Sequence, residues 1–299
     1  MNRTVQHAHT PSGLIAYEDR GEGPVALFVH GVFVNGNLWR HVIDRVSGAR
    51  RCIALDLLGH GETSIRPGQD LSFRAQAEML EQFCEALGLD QVDLVANDSG
   101  GGIAQIFAAR HPERIRSLTL TNCDVHDNWP PEALAPTREL IAAGGFAELA
   151  AGMLADVEVG RTAFSVAYED PSFVDEELVR TYIEPLARTP ERAADLARFF
   201  AELDDDVNPC EQTTEIEPLL RTLDAPTLVV WGTGDVFFGV EWAYWLRDTI
   251  PGCERVVEVE GAKLFFPEER PDDLAPLLLD LWLSRPRSDG RPLRGVPAP

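Results

Sequence analysis

The chain has 299 residues, enough to bury a large core, and is 44% apolar and 8% aromatic, which reads as a globular protein. Its 49 acidic and 26 basic residues leave a net charge of −23, which repels phosphates and excludes nucleic acid and anionic membranes as partners. The five cysteines (Cys52, Cys84, Cys123, Cys210, Cys253) include no CxxC pair, so neither a zinc site nor a disulfide framework is indicated, and reduced thiols point to the cytoplasm. The opening MNRTVQHAHT lacks the apolar stretch of a signal peptide, and no apolar run approaches the ~20 residues of a membrane helix.

Along the chain, PVALFVH (24–30) is the first continuous apolar run and leads into GVFVNGNLW. RCIALD (51–56) comes next and enters the turn LLGHGET. LSFRAQAEMLEQFCEALG (71–88) has helical spacing, with Gly88 as its C-cap. VDLVAN (92–97) runs into DSGGG and a helix that closes on ARHPERI, before SLTLTN (117–122). TLVVWG (227–232), RVVEVE (255–260) and the helical DDLAPLLLDLW complete the series. Runs this uniformly apolar are what parallel strands buried on both faces look like, so a mostly parallel sheet flanked by helices is expected.

Between about 124 and 218 the alternation stops. The sequence there is helical and broken by Pro130, Pro131, Pro136, Pro171, Pro185, Pro190 and Pro209. A helical insertion after a strand of such a sheet reads as a cap, giving a core of 1–123 plus 219–283 and a cap of 124–218. Residues 284–299 hold four prolines and four arginines with little to bury, so a mobile tail is expected.

Chemistry concentrates where VDLVAN ends. Asp98 and Ser99 are adjacent candidate nucleophiles, and Ala96-Asn97-Asp98-Ser99-Gly100-Gly101 fits a strand–nucleophile–helix elbow, in which small residues flank the nucleophile because backbones crowd there. With the downstream HPERI, the stretch resembles the α/β-hydrolase superfamily, and that spacing puts Asp98 at the nucleophile position. FVHGVFVNGNLW is similar to the superfamily's His-Gly oxyanion loop, DLLGHGET to its D-x-x-G-x-G turn, and VVWGTGDVFF to the strand and turn bearing the triad acid. The resemblance covers roughly 14–123 and 220–283. It implies an α/β-hydrolase fold of about eight strands, Asp235 as the acid, and an oxyanion pocket from backbone N–H groups of Val32 or Phe33 and of Ser99.

An aspartate nucleophile resembles the haloalkane dehalogenase and epoxide hydrolase branches. A carboxylate with its ordinary pKa near ~4 attacks without a base, but the resulting ester needs a histidine-activated water for release. After the last strand such relatives show Gly-x-Gly-His-x-x-x-x-Glu; here EGAKLFFPEERP puts Leu264 at the histidine. The seven histidines (His7, His9, His30, His41, His60, His111, His126) all precede that position. Serine is a poor nucleophile without a base, so Ser99 is disfavoured too. Lys263, the sole lysine, and His126 are the candidate substitute bases. Asp124 stands where some relatives place their acid, or it caps the next helix. The relatives' halide-holding Asn and Trp correspond to Val32 and Ser99 here, and for the cap tyrosines with which epoxide hydrolases protonate the epoxide, Tyr168 and Tyr182 are available in the insertion.

Val32, Phe33, Val34, Trp39, Phe237, Phe238, Leu264 and Phe265 make the expected substrate mouth apolar. The resulting expectation is an enzyme of this fold acting on a small apolar organic substrate by lyase, isomerase or cyclase chemistry, without cofactor or metal. The alternatives are hydrolysis of an epoxide, ester or carbon–halogen bond with a substitute base, and non-catalytic ligand binding. The composition leaves a homodimer open.

Overall fold

A computed structural model describes residues 4–201 and 210–283. The chain begins with a hairpin of β1 (Gln6–Thr10) and β2 (Gly13–Arg20). It continues through β3 (Val25–Val29), α1 (Arg40–Val46), β4 (Arg51–Leu55) and α2 (Phe73–Leu87). Next are β5 (Val92–Asp98), α3 (Ser99–Arg110) and β6 (Ile115–Cys123). Helices α4 (Ala135–Ala142), α5 (Phe146–Ala155), α6 (Val157–Phe164), α7 (Glu176–Ala187) and α8 (Pro190–Ala201) follow, then the short α9 (Cys210–Thr214) and α10 (Glu217–Leu220). The chain returns to the sheet as β7 (Thr227–Gly232), α11 (Val240–Thr249), β8 (Cys253–Val259), α12 (Phe266–Glu269) and α13 (Pro271–Leu283).

All eight strands form one sheet, ordered β1-β2-β4-β3-β5-β6-β7-β8. Pairing is parallel from β4 to β8, whereas the N-terminal hairpin joins β4 antiparallel. Strands β3 and β5 are buried at every residue, as their unbroken apolar sequence requires between two helical layers. Among the described residues no strand lies between Cys123 and Thr227, so helices alone cover the carboxyl edge of β5 and β6. The expected tail, 284–299, lies outside the described residues. Among the described residues no helix is long and apolar enough to cross a membrane.

Local chemistry sets the elements that carry the site. Ser72 caps α2 by accepting from the Ala75 amide, and Gly88 ends it in the left-handed region at φ 63°. In α3 every residue but Arg110 is buried. Its first turn reaches the sheet so closely that a Cβ on Gly100 would sit 2.2 Å from the His30 carbonyl oxygen, and one on Gly101 2.2 Å from the Cβ of Cys123. Only glycine fits there.

The helical region is tied to the core by a buried polar cluster. The Tyr168 and Tyr182 hydroxyls, one before and one within α7, donate to opposite oxygens of Glu268 in α12. Glu268 also pairs with Arg40 and is wholly buried. A carboxylate out of water keeps its charge only with such partners, so removing it strands two hydroxyls and a guanidinium. Glu268→Ala is therefore expected to lower unfolding free energy by roughly 3–5 kcal/mol. Urea denaturation measures it, and a loss within experimental scatter would show the cluster to be dispensable.

Candidate active site

Asp98 ends β5 and precedes α3 with φ 57° and ψ −137°. A non-glycine residue in that sparsely populated region costs about 1–3 kcal/mol, and the surrounding contacts hold it there. The Val32 amide donates to Asp98 Oδ2 at 2.9 Å. A Cβ on Gly31 would lie 2.1 Å from that oxygen, so the loop after β3 approaches this closely only because Gly31 lacks one. His30 shapes the same loop: its Nε2 accepts from the Leu57 amide at 3.0 Å and its Nδ1 faces the Gly31 carbonyl at 2.7 Å. An imidazole with one accepting and one donating nitrogen is neutral and structural.

Asp98 opens onto a cavity of about 430 Å³ roofed by α4, α5 and α6. Asp98, Ser99 and Asp124 form its polar floor; Val32, Phe33, Phe237, Phe238, Leu264 and Phe265 are among its apolar walls. Phe33, itself at φ 64°, reaches the roof, with ring centroids 6.2 Å from Phe146 and 5.4 Å from Phe200. Leu140 and Val166 line the cavity and are also exposed, which places its mouth at the roof. No lysine, arginine or histidine lines the cavity among the described residues.

The carboxyls at and behind the floor are raised by burial, and a cation acts on Asp235 alone. Burial raises Asp98 to about 7; the Val32 and Ser99 amides pull it back, and the Asp235 charge adds to the rise. Asp235 is raised to about 6, again by burial, against donors from the Phe237 and Phe238 amides and Asn122 and the Lys263 charge. Asp124, wholly buried, stands well above the usual carboxylate range through burial first and the Asp98 charge second.

Asp235 does not face the cavity among its described lining. Asn122 holds it from behind: Nδ2 donates to Asp235 Oδ2 at 2.9 Å and to the Gly232 carbonyl at 3.0 Å, while Oδ1 accepts from the Gly232 amide. Asn97 makes a similar tie, donating to Thr121 Oγ1 and to the Leu264 carbonyl, each at 3.0 Å. That bond ties Leu264 to the residue before Asp98, and both Leu264 and Asp98 line the cavity. Sequence reading overlooked both asparagines; their one signal is a polar residue at the carboxyl end of an otherwise apolar strand.

Several expected site residues lie elsewhere. Tyr168 and Tyr182 do not line the cavity, because both hydroxyls are turned onto Glu268. Val34 and Trp39 are buried in the core instead; Trp39 packs on Phe28 at 5.3 Å. His126 faces away: Nε2 meets Glu217 at 3.0 Å, Nδ1 meets Asp127 at 3.2 Å, and its ring lies 4.8 Å from Trp245. The Lys263 ammonium donates to the Ser165 carbonyl at 2.8 Å and touches Asp235 only through its field. The Phe33 ring, and no recorded bond from its amide, is what the site uses, so the donors on Asp98 are the Val32 and Ser99 amides.

A family model described as the alpha/beta hydrolase fold matches residues 24–271. The chain is 28% identical over 278 residues to a haloalkane dehalogenase of Agrobacterium fabrum, covering 89% of this chain and 87% of that one. It is 27% identical over 278 residues to haloalkane dehalogenase 2 of Mycobacterium tuberculosis, covering 90% and 91%. Among solved structures, a meta-cleavage product hydrolase from Pseudomonas fluorescens superposes with a TM-score of 0.77 at 21% identity, over 93% of this chain and 97% of that one. A haloalkane dehalogenase from Bradyrhizobium elkani gives 0.77 at 21% identity, over 94% and 99%. At such identities the structural likeness speaks for the fold alone.

The raised Asp98 gives the protein a pH signature. Between its unfolded value near ~4 and about 7, the folded chain holds a proton that the unfolded chain releases, so this contribution to stability is lost as pH rises through that window. Asp98→Asn keeps an oxygen for the Val32 amide and removes the titration. The variant should match wild type at pH 4 and exceed it at pH 8, by on the order of 2–4 kcal/mol. Thermal denaturation at the two pH values checks this; equal stability at pH 8 would mean Asp98 ionises freely.

Proposed function

The chain belongs to the α/β-hydrolase-fold family, and on that premise we propose that it is an enzyme acting on a small, largely apolar organic substrate by non-hydrolytic proton-transfer chemistry of the lyase, isomerase or cyclase type, with Asp98 as the reacting group. Leu264 carries this reading. It lines the cavity with Asp98 where a water-activating imidazole would have to stand, and no histidine or lysine faces that space among the described residues. Hydrolysis through a covalent ester needs a base that both deprotonates water and is oriented by an acid. His126 is engaged by Glu217, and Lys263 is turned to Ser165. A buried aspartate shifted to about 7 suits proton exchange near neutral pH, since a base works best close to the operating pH. Ser99 has no base to activate it and is read as a wall of the site.

The relatives that are haloalkane dehalogenases favour a second reading, in which Asp98 displaces a leaving group from carbon. The two are separated by incubation with a primary alkyl bromide and a terminal epoxide, followed by intact-mass analysis and product quantification. Expected is at most one equivalent of adduct, mapped to Asp98, and no multiple-turnover release of alcohol or diol. Leu264→His should convert a trapped adduct into slow turnover if Asp235 orients the new ring. Rapid turnover by the wild type, abolished in Asp98→Asn, would overturn the non-hydrolytic reading.

A further inference from the structure

Asp124 has no structural task that accounts for it. Its side chain is wholly buried and lines the cavity, and the neighbouring Ser99 hydroxyl, set too poorly for a well-formed hydrogen bond, is the one side-chain donor that faces its carboxyl among the described residues. It caps no helix, since α4 begins only at Ala135. Its backbone is fixed: Gln105 Nε2 donates to the Asp124 carbonyl at 2.8 Å and to the Gly101 carbonyl at 3.0 Å. A Cβ on Gly102 would lie 3.2 Å from the Asp124 Cβ, so this residue rests on the first turn of α3. Asp98 pairs in register with Cys123, the residue before Asp124, which sets the two carboxyls at the ends of neighbouring strands.

The donors matter as much as the placement. The Val32 and Ser99 amides, which would serve an oxyanion in an acyl-transfer enzyme of this fold, are engaged by Asp98's own carboxyl. An oxygen on the substrate must find its proton elsewhere. The charged groups around Asp124 are Asp98 at the end of β5 and Asp235 after β7, both acidic, and no cation lines the space among the described residues. Such a floor repels anions and admits neutral molecules. Carboxyls crowded this way retain protons, and burial together with the Asp98 charge holds Asp124 well above the usual carboxylate range.

Building on the reading of Asp98 as the reacting group, we propose that Asp124 is a second catalytic residue: a neutral carboxylic acid that gives its proton to the oxygen of an apolar, uncharged carbonyl substrate as Asp98 takes a proton from the adjacent carbon. The C–H pair becomes a carbon–carbon double bond, the carbonyl π pair moves to oxygen, and that oxygen takes the Asp124 proton. An enol, a protonated Asp98 and an ionised Asp124 result. Where the substrate carries a β,γ double bond, the enol is a dienol. Return of the Asp98 proton to its γ-carbon, with Asp124 recovering its own as the carbonyl re-forms, then completes an isomerisation to the α,β-unsaturated compound that needs no further reactant. A saturated substrate takes the proton back at the α-carbon and only exchanges it. One carboxylate and one carboxylic acid serve both halves, so the site regenerates each turn.

The test has two readouts. In protein labelled with 13C-aspartate, infrared difference spectra at pH 9, where Asp98 and Asp235 are ionised, should show a protonated-carboxyl band that is lost in Asp124→Asn, a nearly isosteric change, and persists in Asp98→Asn. Absence of that band from the wild type, or its persistence in Asp124→Asn, overturns the proposal. The second readout is exchange of the α-hydrogens of 2-tetralone with deuterated water, followed by mass spectrometry. Asp124→Leu is expected to slow exchange by ~100-fold or more, as general-acid deletions do. Exchange that falls in Asp98→Asn but is unchanged in Asp124→Leu overturns the role of Asp124 and leaves Asp98 standing. Exchange unchanged in Asp98→Asn overturns the reading of Asp98, while the infrared band still reports on Asp124.

Discussion

Asp98 and Asp124, buried under an apolar roof with no cation lining their cavity among the described residues, constrain everything near the site. A lone carboxylate in such a place is unstable unless amides point at it or a proton neutralises it. Both devices are present. Asp98 is bent into a strained turn so that its Oδ2 meets the Val32 amide and its backbone opens α3. The glycines at 31, 100, 101 and 102 follow from that arrangement, because each stands where a Cβ would strike a neighbour on the converging elements. Remove the need to hold a carboxyl at the point where β3, β5 and α3 meet, and that density of glycine has no purpose.

The helical region answers the same constraint from above. Apart from Thr137 and Thr162 its cavity lining is apolar, and its two buried tyrosines are turned aside: both hydroxyls bind Glu268, and Arg40 closes that cluster on the core side. The Phe265 amide donates to the Ala167 carbonyl at 3.0 Å, fastening the wall beside Leu264 to the roof. Polar attachment at the flank leaves the roof free to be hydrocarbon, and a hydrocarbon roof is what raises the carboxyls below it. The fastening and the electrostatics are one design.

Much of this was legible in the residues. Five inner strands, β3 to β7, could be read as unbroken apolar runs, because parallel strands covered on both faces have no polar side to show. Strand β8, read the same way from RVVEVE, is instead the edge strand, and its charged residues are exposed there. The hairpin β1–β2 could not: QHAHT mixes polar and small residues at the sheet edge, and its pairing depends on β4, far along the chain. The Ala96–Gly101 elbow identified Asp98 because close backbone packing demands small residues at fixed spacing. Tyr168 and Tyr182 were misjudged for the opposite reason. A tyrosine in a helix announces a hydroxyl but not its direction, and Glu268, which decides it, is about one hundred residues away in each case. Trp39 and Val34 were drawn to the mouth by their loop, yet one turn of chain takes them into the core. Asn97 and Asn122 escaped notice since their bonds exist only once three strands are aligned.

Replacing an imidazole by Leu264 changes more than one step of a reaction. An imidazole near buried carboxyls can take up a proton and balance their charge, which lets them ionise and lets one attack carbon. A leucine offers no charge and removes water, so the carboxyls must keep protons among themselves. On the reading proposed above, the residue that leaves an ester uncleaved also leaves the site a carboxylic acid beside a carboxylate. On that reading, absent hydrolysis and proton-transfer capacity both follow from a single apolar residue whose carbonyl the Asn97 amide holds.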